Sequence, residues 1–264
     1  MTTLPIYQAD AFTDTLFKGN PAAVVPCRAF PPAEIMQAIA MENNLSETAF
    51  VVARDNGYDI RWFTPMVEIE FCGHATIASA HILRTELGAT FPLNLNAPIG
   101  PLTVEHDARG YHLSAPAYTC REIDITDAMT SAFPIEIEAA FAARDNIYIV
   151  TPHARTVRDF DPNFRAIAAL GDHGVGLTAM GGHDGYDFTS RLFFPAIDLD
   201  EDPVTGSAHC ALGPYWSQRL GRTRLTAHQA SKRGGHLVLN VSEDRVILTG
   251  QAVTYLRGEI SVPD

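Results

Sequence analysis

Short apolar runs, alternating or continuous and each cut off by Gly, Pro, Asn or Asp, dominate the chain and predict strands. They fall at Leu4–Ala11, Ala22–Pro26, Thr48–Ala53, Tyr58–Phe63, Leu93–Asn96, Leu102–Glu105 and Tyr111–Ser114. The same theme resumes at Asn146–Thr151, Gly174–Met180, Tyr186–Phe194, Leu237–Ser242, Arg245–Leu248 and Val253–Ile260. Helical spacing marks Pro32–Asn43, where Ile35, Ile39 and Ala40 form a stripe and Pro32 suits the first turn, and also Pro162–Leu170.

Two helical segments differ from these. His74 to Leu87 and Ser207 to Leu220 are apolar or small around most of their circumference. A helix without a consistently polar face is buried on all sides. Pro214 is expected to weaken the second one locally, because it lacks an N–H and crowds the carbonyl of Cys210. Short strands around one buried small-residue helix make an α+β unit whose sheet curls around that helix.

The approach to each helix is also alike. Tyr58-Asp59-Ile60 leads through Phe63-Thr64-Pro65 to Cys72-Gly73-His74-Ala75-Thr76. Tyr186-Asp187-Phe188 leads through Phe193-Phe194-Pro195 to Thr205-Gly206-Ser207-Ala208-His209. The expected architecture is therefore two similar halves, each a barrel-like, mostly antiparallel sheet around a central helix. The break falls near Pro116–Asp127, giving halves 1–117 and 118–264, with the last strand able to return to the first half.

Composition narrows the function. With 264 residues, 46% hydrophobic and 19% charged, the chain can bury a sizeable core. A formal net charge of −12 argues against nucleic acid or an anionic membrane surface as a partner. No apolar run approaches the roughly 18 residues a membrane-spanning helix needs. Met1 to Asp10 has no signal-peptide pattern, and the four cysteines, at 27, 72, 120 and 210, show no CxxC spacing. A reduced, cytoplasmic setting is the expectation. GxGxxG, GxxxxGK[ST] and GxSxG are all absent.

Several residues could carry chemistry, and each also has an ordinary structural explanation. Glu47, between a predicted helix and an apolar strand, can act as a general acid/base if its carboxyl meets apolar walls, or can be an exposed loop residue. His74 follows Gly73 at a helix start, where ring and backbone N–H groups can meet an anion, or it can be a capping or core histidine. Ser207 follows Gly206 and reads as a natural N-cap. Asp202 could orient a histidine or hold an amine, or belong to a solvated acidic loop. A two-thiol racemase would use Cys72, but the aligned residue of the second half is Thr205, which cannot act as a thiol base. A metal site from Cys72, His74, His209 and Cys210 is disfavoured, since neighbours on a helix project about 100° apart. The expectation is no metal.

Taken together, these motifs resemble the phenazine-biosynthesis isomerase-like (PhzF-like) family of the diaminopimelate epimerase fold. The matching segments are Asp10-Ala11-Phe12, Gly19-Asn20-Pro21-Ala22-Ala23-Val24, Asn44-Leu45-Ser46-Glu47-Thr48-Ala49-Phe50 and Phe63-Thr64-Pro65. They continue through Cys72-Gly73-His74-Ala75-Thr76, Glu201-Asp202-Pro203-Val204-Thr205-Gly206-Ser207-Ala208-His209, Arg233-Gly234-Gly235 and Leu256-Arg257-Gly258-Glu259. The resemblance implies an active site in a cleft between two α/β halves, and an isomerase working without metal or organic cofactor. It makes Glu47 the group that moves a proton between carbons of a small anionic substrate. His74, Asp202 and Ser207, with Gly73 and Gly206, become substrate-binding groups, and the assembly becomes a homodimer. Cys72 and the His209-Cys210 pair depart from the phenazine enzyme itself, which points to a different small acid as substrate. An amino-acid racemase or epimerase using Cys72 and a non-catalytic metabolite-binding protein are the alternatives.

Overall fold

The computed structural model describes residues 1–181 and 185–263. In chain order the elements are β1 (Thr2–Ala11), β2 (Asn20–Cys27), α1 (Ala33–Asn43), β3 (Glu47–Arg54), β4 (Gly57–Phe63), β5 (Glu68–Ile69), α2 (Gly73–Thr85), β6 (Leu93–Ala97), β7 (Gly100–Asp107) and β8 (Gly110–Pro116). There follow β9 (Arg121–Ile123), α3 (Asp127–Ala132), β10 (Ala139–Ala143), β11 (Asn146–Val150), α4 (Ala154–Asp159), α5 (Phe164–Ala168), β12 (Gly174–Met180), β13 (Phe188–Phe194) and β14 (Leu199–Asp202). The chain closes with α6 (Gly206–Leu220), β15 (Arg224–Gln229), β16 (Gly235–Val241), β17 (Arg245–Gly250) and β18 (Ala252–Val262).

Two compact units result. One is residues 1–114 together with the segment from Leu248 onward; the other is Ala115–Ile247. The expected boundary at 117/118 thus moves three residues earlier, and the end of the chain leaves the second half. Hydrogen bonding explains the return. β18 pairs antiparallel with β1 over nearly its whole length, from Thr2↔Val262 to Ala11↔Ala252.

In the first unit β1 also pairs antiparallel with β2, β2 parallel with β3, β3 antiparallel with β4, and β4 parallel with β6. The parallel step from β2 to β3 needs a crossover, which α1 supplies. Met36, Ile39 and Ala40 of α1 pack on Val25, Phe50 and Phe63, so the buried stripe is turned by one residue from the expected Ile35. The opposite face of the sheet holds α2, which contacts β1, β2, β3 and β18. Every α2 residue from Gly73 to Ala80 is buried.

The second unit repeats this plan pair by pair. β9–β10 and β10–β11 are antiparallel, β11–β12 parallel, β12–β13 antiparallel and β13–β15 parallel. Its crossover carries α4 and α5, where one helix over Pro162–Leu170 was expected; Val157 and Ile167 anchor them against Phe193 and Leu177. α6 packs on β15 and β16. The carbonyl of Cys210 that Pro214 leaves without an intrahelical donor accepts the N–H of Tyr118 at 2.8 Å. The proline is thereby accommodated at an established partner, with no orphaned carbonyl.

Candidate active site

The start of α2 gathers the chemistry of the first unit. Cys72 is the N-cap in extended conformation, Gly73 opens the helix, and His74 follows in its first turn. β3 begins at Glu47, one turn after α1 ends in a left-handed Asn44, so the carboxylate sits at the mouth of a buried strand. Glu47 Oε2 lies 3.0 Å from His74 Nε2, with the two side chains 15% and 5% exposed. The contact is not aligned as a hydrogen bond, and neither atom has such a partner among the described residues. On the other side of the ring, Nδ1 lies 3.2 Å from Asn20 Nδ2 and 3.5 Å from Cys72 Sγ.

Charge in this cluster is set by opposing influences. Burial raises the Cys72 pKa most, and the Glu47 carboxylate raises it further against the pull of His74, so the sulfur is held as a thiol. For His74, burial is the largest influence and acts downward. The charges of Cys72 and Glu47 outweigh it and carry the imidazole well above its ordinary pKa. A thiol has no charge to contribute, so Glu47 is the group that draws a proton onto the ring. Donor atoms of Glu47, Cys72 and His74 all lie within 4.8 Å of one another. With one ligand atom from each residue, the three are close enough together to hold a metal ion.

The start of α6 is built to the same register with different groups. Thr205 is the N-cap and Gly206 opens the helix, so Ser207 is not the N-cap the sequence suggests but the second helical residue. Cys72 and Thr205, Gly73 and Gly206, His74 and Ser207 are thus equivalent positions. A further equivalence follows four residues on, where Thr76 Oγ1 donates to the Cys72 carbonyl and His209 Nδ1 to the Thr205 carbonyl. Around Thr205 the polar groups close on each other. Its N–H donates to Gln229 Oε1 at 2.8 Å, and its hydroxyl donates to the buried Asp202 Oδ2. Gln229 Nε2 returns to the Asp202 carbonyl at 2.8 Å. Ser231 Oγ ties in Pro203 at 2.7 Å. Desolvation pushes His209 down to about 4, so it is a neutral core histidine.

Glu47, Cys72, Gly73 and His74 therefore come together in the first unit, and Asp202, Thr205, Gly206 and Ser207 in the second. Sequence reasoning assigned no role to Asn20, although it stands in the quoted Gly19-Asn20-Pro21. It missed Gln229 altogether, which only the parallel register Ser190↔Gln229 brings to Thr205.

A mixed sheet curled around one buried helix, present twice, is the diaminopimelate epimerase-like fold, and the protein's class is that of an isomerase. Residues 9–258 match the family described as phenazine biosynthesis-like protein, and the chain belongs to that PhzF family. An uncharacterized isomerase of Pseudomonas aeruginosa is 43% identical over 97% of this chain and 98% of its own length. A crystal structure of a PhzF-family phenazine biosynthesis protein from Enterococcus faecalis is 42% identical, covers 99% of this chain and all of its own, and superposes with a TM-score of 0.94. A structure described as a predicted epimerase from Pseudomonas aeruginosa, 22% identical, covers 98% of this chain and all of its own with a TM-score of 0.72 and shares the fold.

Proposed function

We propose that the protein isomerises a small carboxylic acid by moving a proton within it, without metal or organic cofactor, and that Glu47 is the general acid/base. The observation that carries this reading is the Glu47–His74 contact, a buried carboxylate and imidazole 3.0 Å apart whose facing atoms have no hydrogen-bond partner among the described residues. As carboxylate, Glu47 takes a proton from a carbon made acidic by a conjugated acid group. The electron pair spreads into that group, where the first N–H groups of α2 and the His74 ring can stabilise it. The carboxylic acid so formed returns the proton at a different carbon, and one residue performs both steps. Asp202 and Ser207 are proposed as substrate-binding groups on the family resemblance, as is a homodimeric assembly.

The test is solvent deuterium incorporation across a panel of small cyclic and amino acids. Glu47→Gln is expected to abolish incorporation into any substrate found, with an unchanged circular dichroism spectrum; full exchange in that variant overturns the assignment. A second reading, racemisation or epimerisation through Cys72, rests on the 3.5 Å approach of its sulfur to His74. It requires that Cys72→Ser lose turnover while Glu47→Gln retains it. Ligand binding with no exchange under any condition would instead indicate a metabolite-binding protein. Among the described residues no helix is long and apolar enough to cross a membrane.

A further inference from the structure

The motif Leu256-Arg257-Gly258-Glu259 has no role in the proton transfer, yet it lies in the middle of the strand that closes the first unit. β18 pairs with β1 along one edge, from Thr2↔Val262 to Ala11↔Ala252. Along its other edge no strand is in register among the described residues, and α2 packs on its inner face. The ladder shifts between Gln8 and Ala9, so Tyr255 is bulged and the regular edge begins at Leu256. Tyr255 to Glu259 are exposed one after another, on both faces of the strand. Tyr255 and Leu256 are 47% and 39% exposed, and Phe17, at 65%, packs edge-on to the Tyr255 ring with centroids 5.7 Å apart. An open strand edge beside exposed apolar side chains is a template for another strand.

The residues on that edge specify the strand it takes. In Leu256-Arg257-Gly258-Glu259-Ile260, apolar and charged positions mirror each other about Gly258, and the two charges are opposite in sign. Alternation places Arg257 and Glu259 on one face, beside Tyr7 and Pro5 of β1, and Leu256 and Ile260 on the other, beside Gln8 and Leu4. We propose that β18 pairs antiparallel with β18 of a second copy of this chain, about a two-fold axis at Gly258. That register sets Arg257 against the partner's Glu259, twice, and Leu256 against the partner's Ile260, twice. An axis at Arg257 or Glu259 would oppose like charges, and a half-step either way would set Leu256 or Ile260 against a charge. Arg257 can serve two carboxylates, because Nε and Nη2 donate to Glu86 at 2.8 Å and Nη1 remains to donate. Glu259 makes no ion pair among the described residues. Nothing within the chain calls for glycine at 258: its φ is not left-handed, and a Cβ there would meet Leu256 and Ile6 at 3.7 and 3.8 Å, ordinary contact. At the axis, the missing side chain leaves room for Leu256 and Ile260 of both copies to close over it. The inference rests on the homodimeric assembly proposed above, to which it gives an interface, and is independent of the proton-transfer chemistry.

Sedimentation velocity of the full chain over a concentration series reads the assembly, and the wild type is expected to be a dimer. Glu259→Arg turns both charge contacts repulsive, and its dissociation constant is expected to rise at least about tenfold with an unchanged circular dichroism spectrum. Gly258→Cys tests the axis directly. Opposed residues of an antiparallel pair hold their Cβ atoms roughly 4.5–5.5 Å apart, near the reach of a disulfide, so mild oxidation is expected to link the two copies covalently. The wild type, with its four native cysteines, is the control. A wild type that sediments as a monomer overturns this proposal and the homodimer together, and leaves the edge to a strand of another protein. A dimeric wild type with an unchanged constant in folded Glu259→Arg, or with no cross-link in folded Gly258→Cys, overturns the interface alone. Either variant decides if the other unfolds. Deuterium exchange in Glu47→Gln bears on neither, so the proton-transfer reading fails separately.

Discussion

The two helix starts share a backbone and differ in what their side chains leave undone. At α6, Thr205, Asp202 and Gln229 bond one another, and the nearby histidine is neutral and part of the core, its Nε2 buried without a hydrogen-bond partner among the described residues. At α2 the corresponding positions hold a thiol and a histidine; His74 Nδ1 meets Asn20 and Cys72, while its Nε2 and the facing Glu47 Oε2 approach to 3.0 Å without closing a hydrogen bond. A buried polar group that is satisfied stabilises the fold, whereas one left unsatisfied costs about 1–3 kcal/mol. Duplication thus supplied the same platform twice, and the reactive role is read at one of them.

The largest effect should come from breaking the reactive end. Glu47→Gln keeps shape and polarity but removes the base, and turnover is expected to fall at least about 1,000-fold, roughly 4 kcal/mol of transition-state stabilisation. A smaller loss would place the base elsewhere in the cluster. Next is acid sensitivity at the second helix start. His209 has its native pKa lowered to about 4 from 6.5, so its contribution to stability is complete above 6.5. As pH falls from there toward 4 the unfolded chain takes up a proton that the native one refuses, and on the order of 3 kcal/mol is lost. Urea unfolding at both ends of that window, compared between wild type and His209→Gln, reads the term; equal pH slopes would show that His209 is not the source.

Smaller again is the closed network itself. Gln229→Ala strips a buried N–H and a buried carbonyl of their partners and is expected to cost about 2 kcal/mol, seen as a drop in melting temperature. An unchanged melting point would mean that the second helix start is not held as tightly as its bonds suggest. The least effect is expected from Cys72→Ser, within about threefold of wild-type turnover, because a buried thiol with a raised pKa is a poor base. A large loss there would shift the reactive role from carboxylate to sulfur.

Much of this contrast is legible in the residues. The two Gly-containing helix starts, the absence of a second thiol and the apolar helices behind them follow from local pattern. Other elements are not legible for physical reasons. Ala139–Ala143 is alanine-rich and reads as no strand, yet it is β10 because β9 and β11 pair with it on both sides. Arg224–Gln229 buries Leu225, Ala227 and Gln229 in alternation, a pattern hidden because only one of the three is strongly apolar.

Sequence by itself determined that the chain is a duplicated α+β protein of the PhzF family, with Glu47 and His74 as candidates. These are statements about residue type and spacing, which local physics and motif order carry. Tertiary structure alone decided that β18 closes the first unit, that Thr205 rather than Ser207 caps α6, and that Asn20 and Glu47 meet opposite sides of one imidazole. Each depends on hydrogen-bond register between segments far apart in the chain, and no local pattern encodes which nitrogen a distant side chain will face.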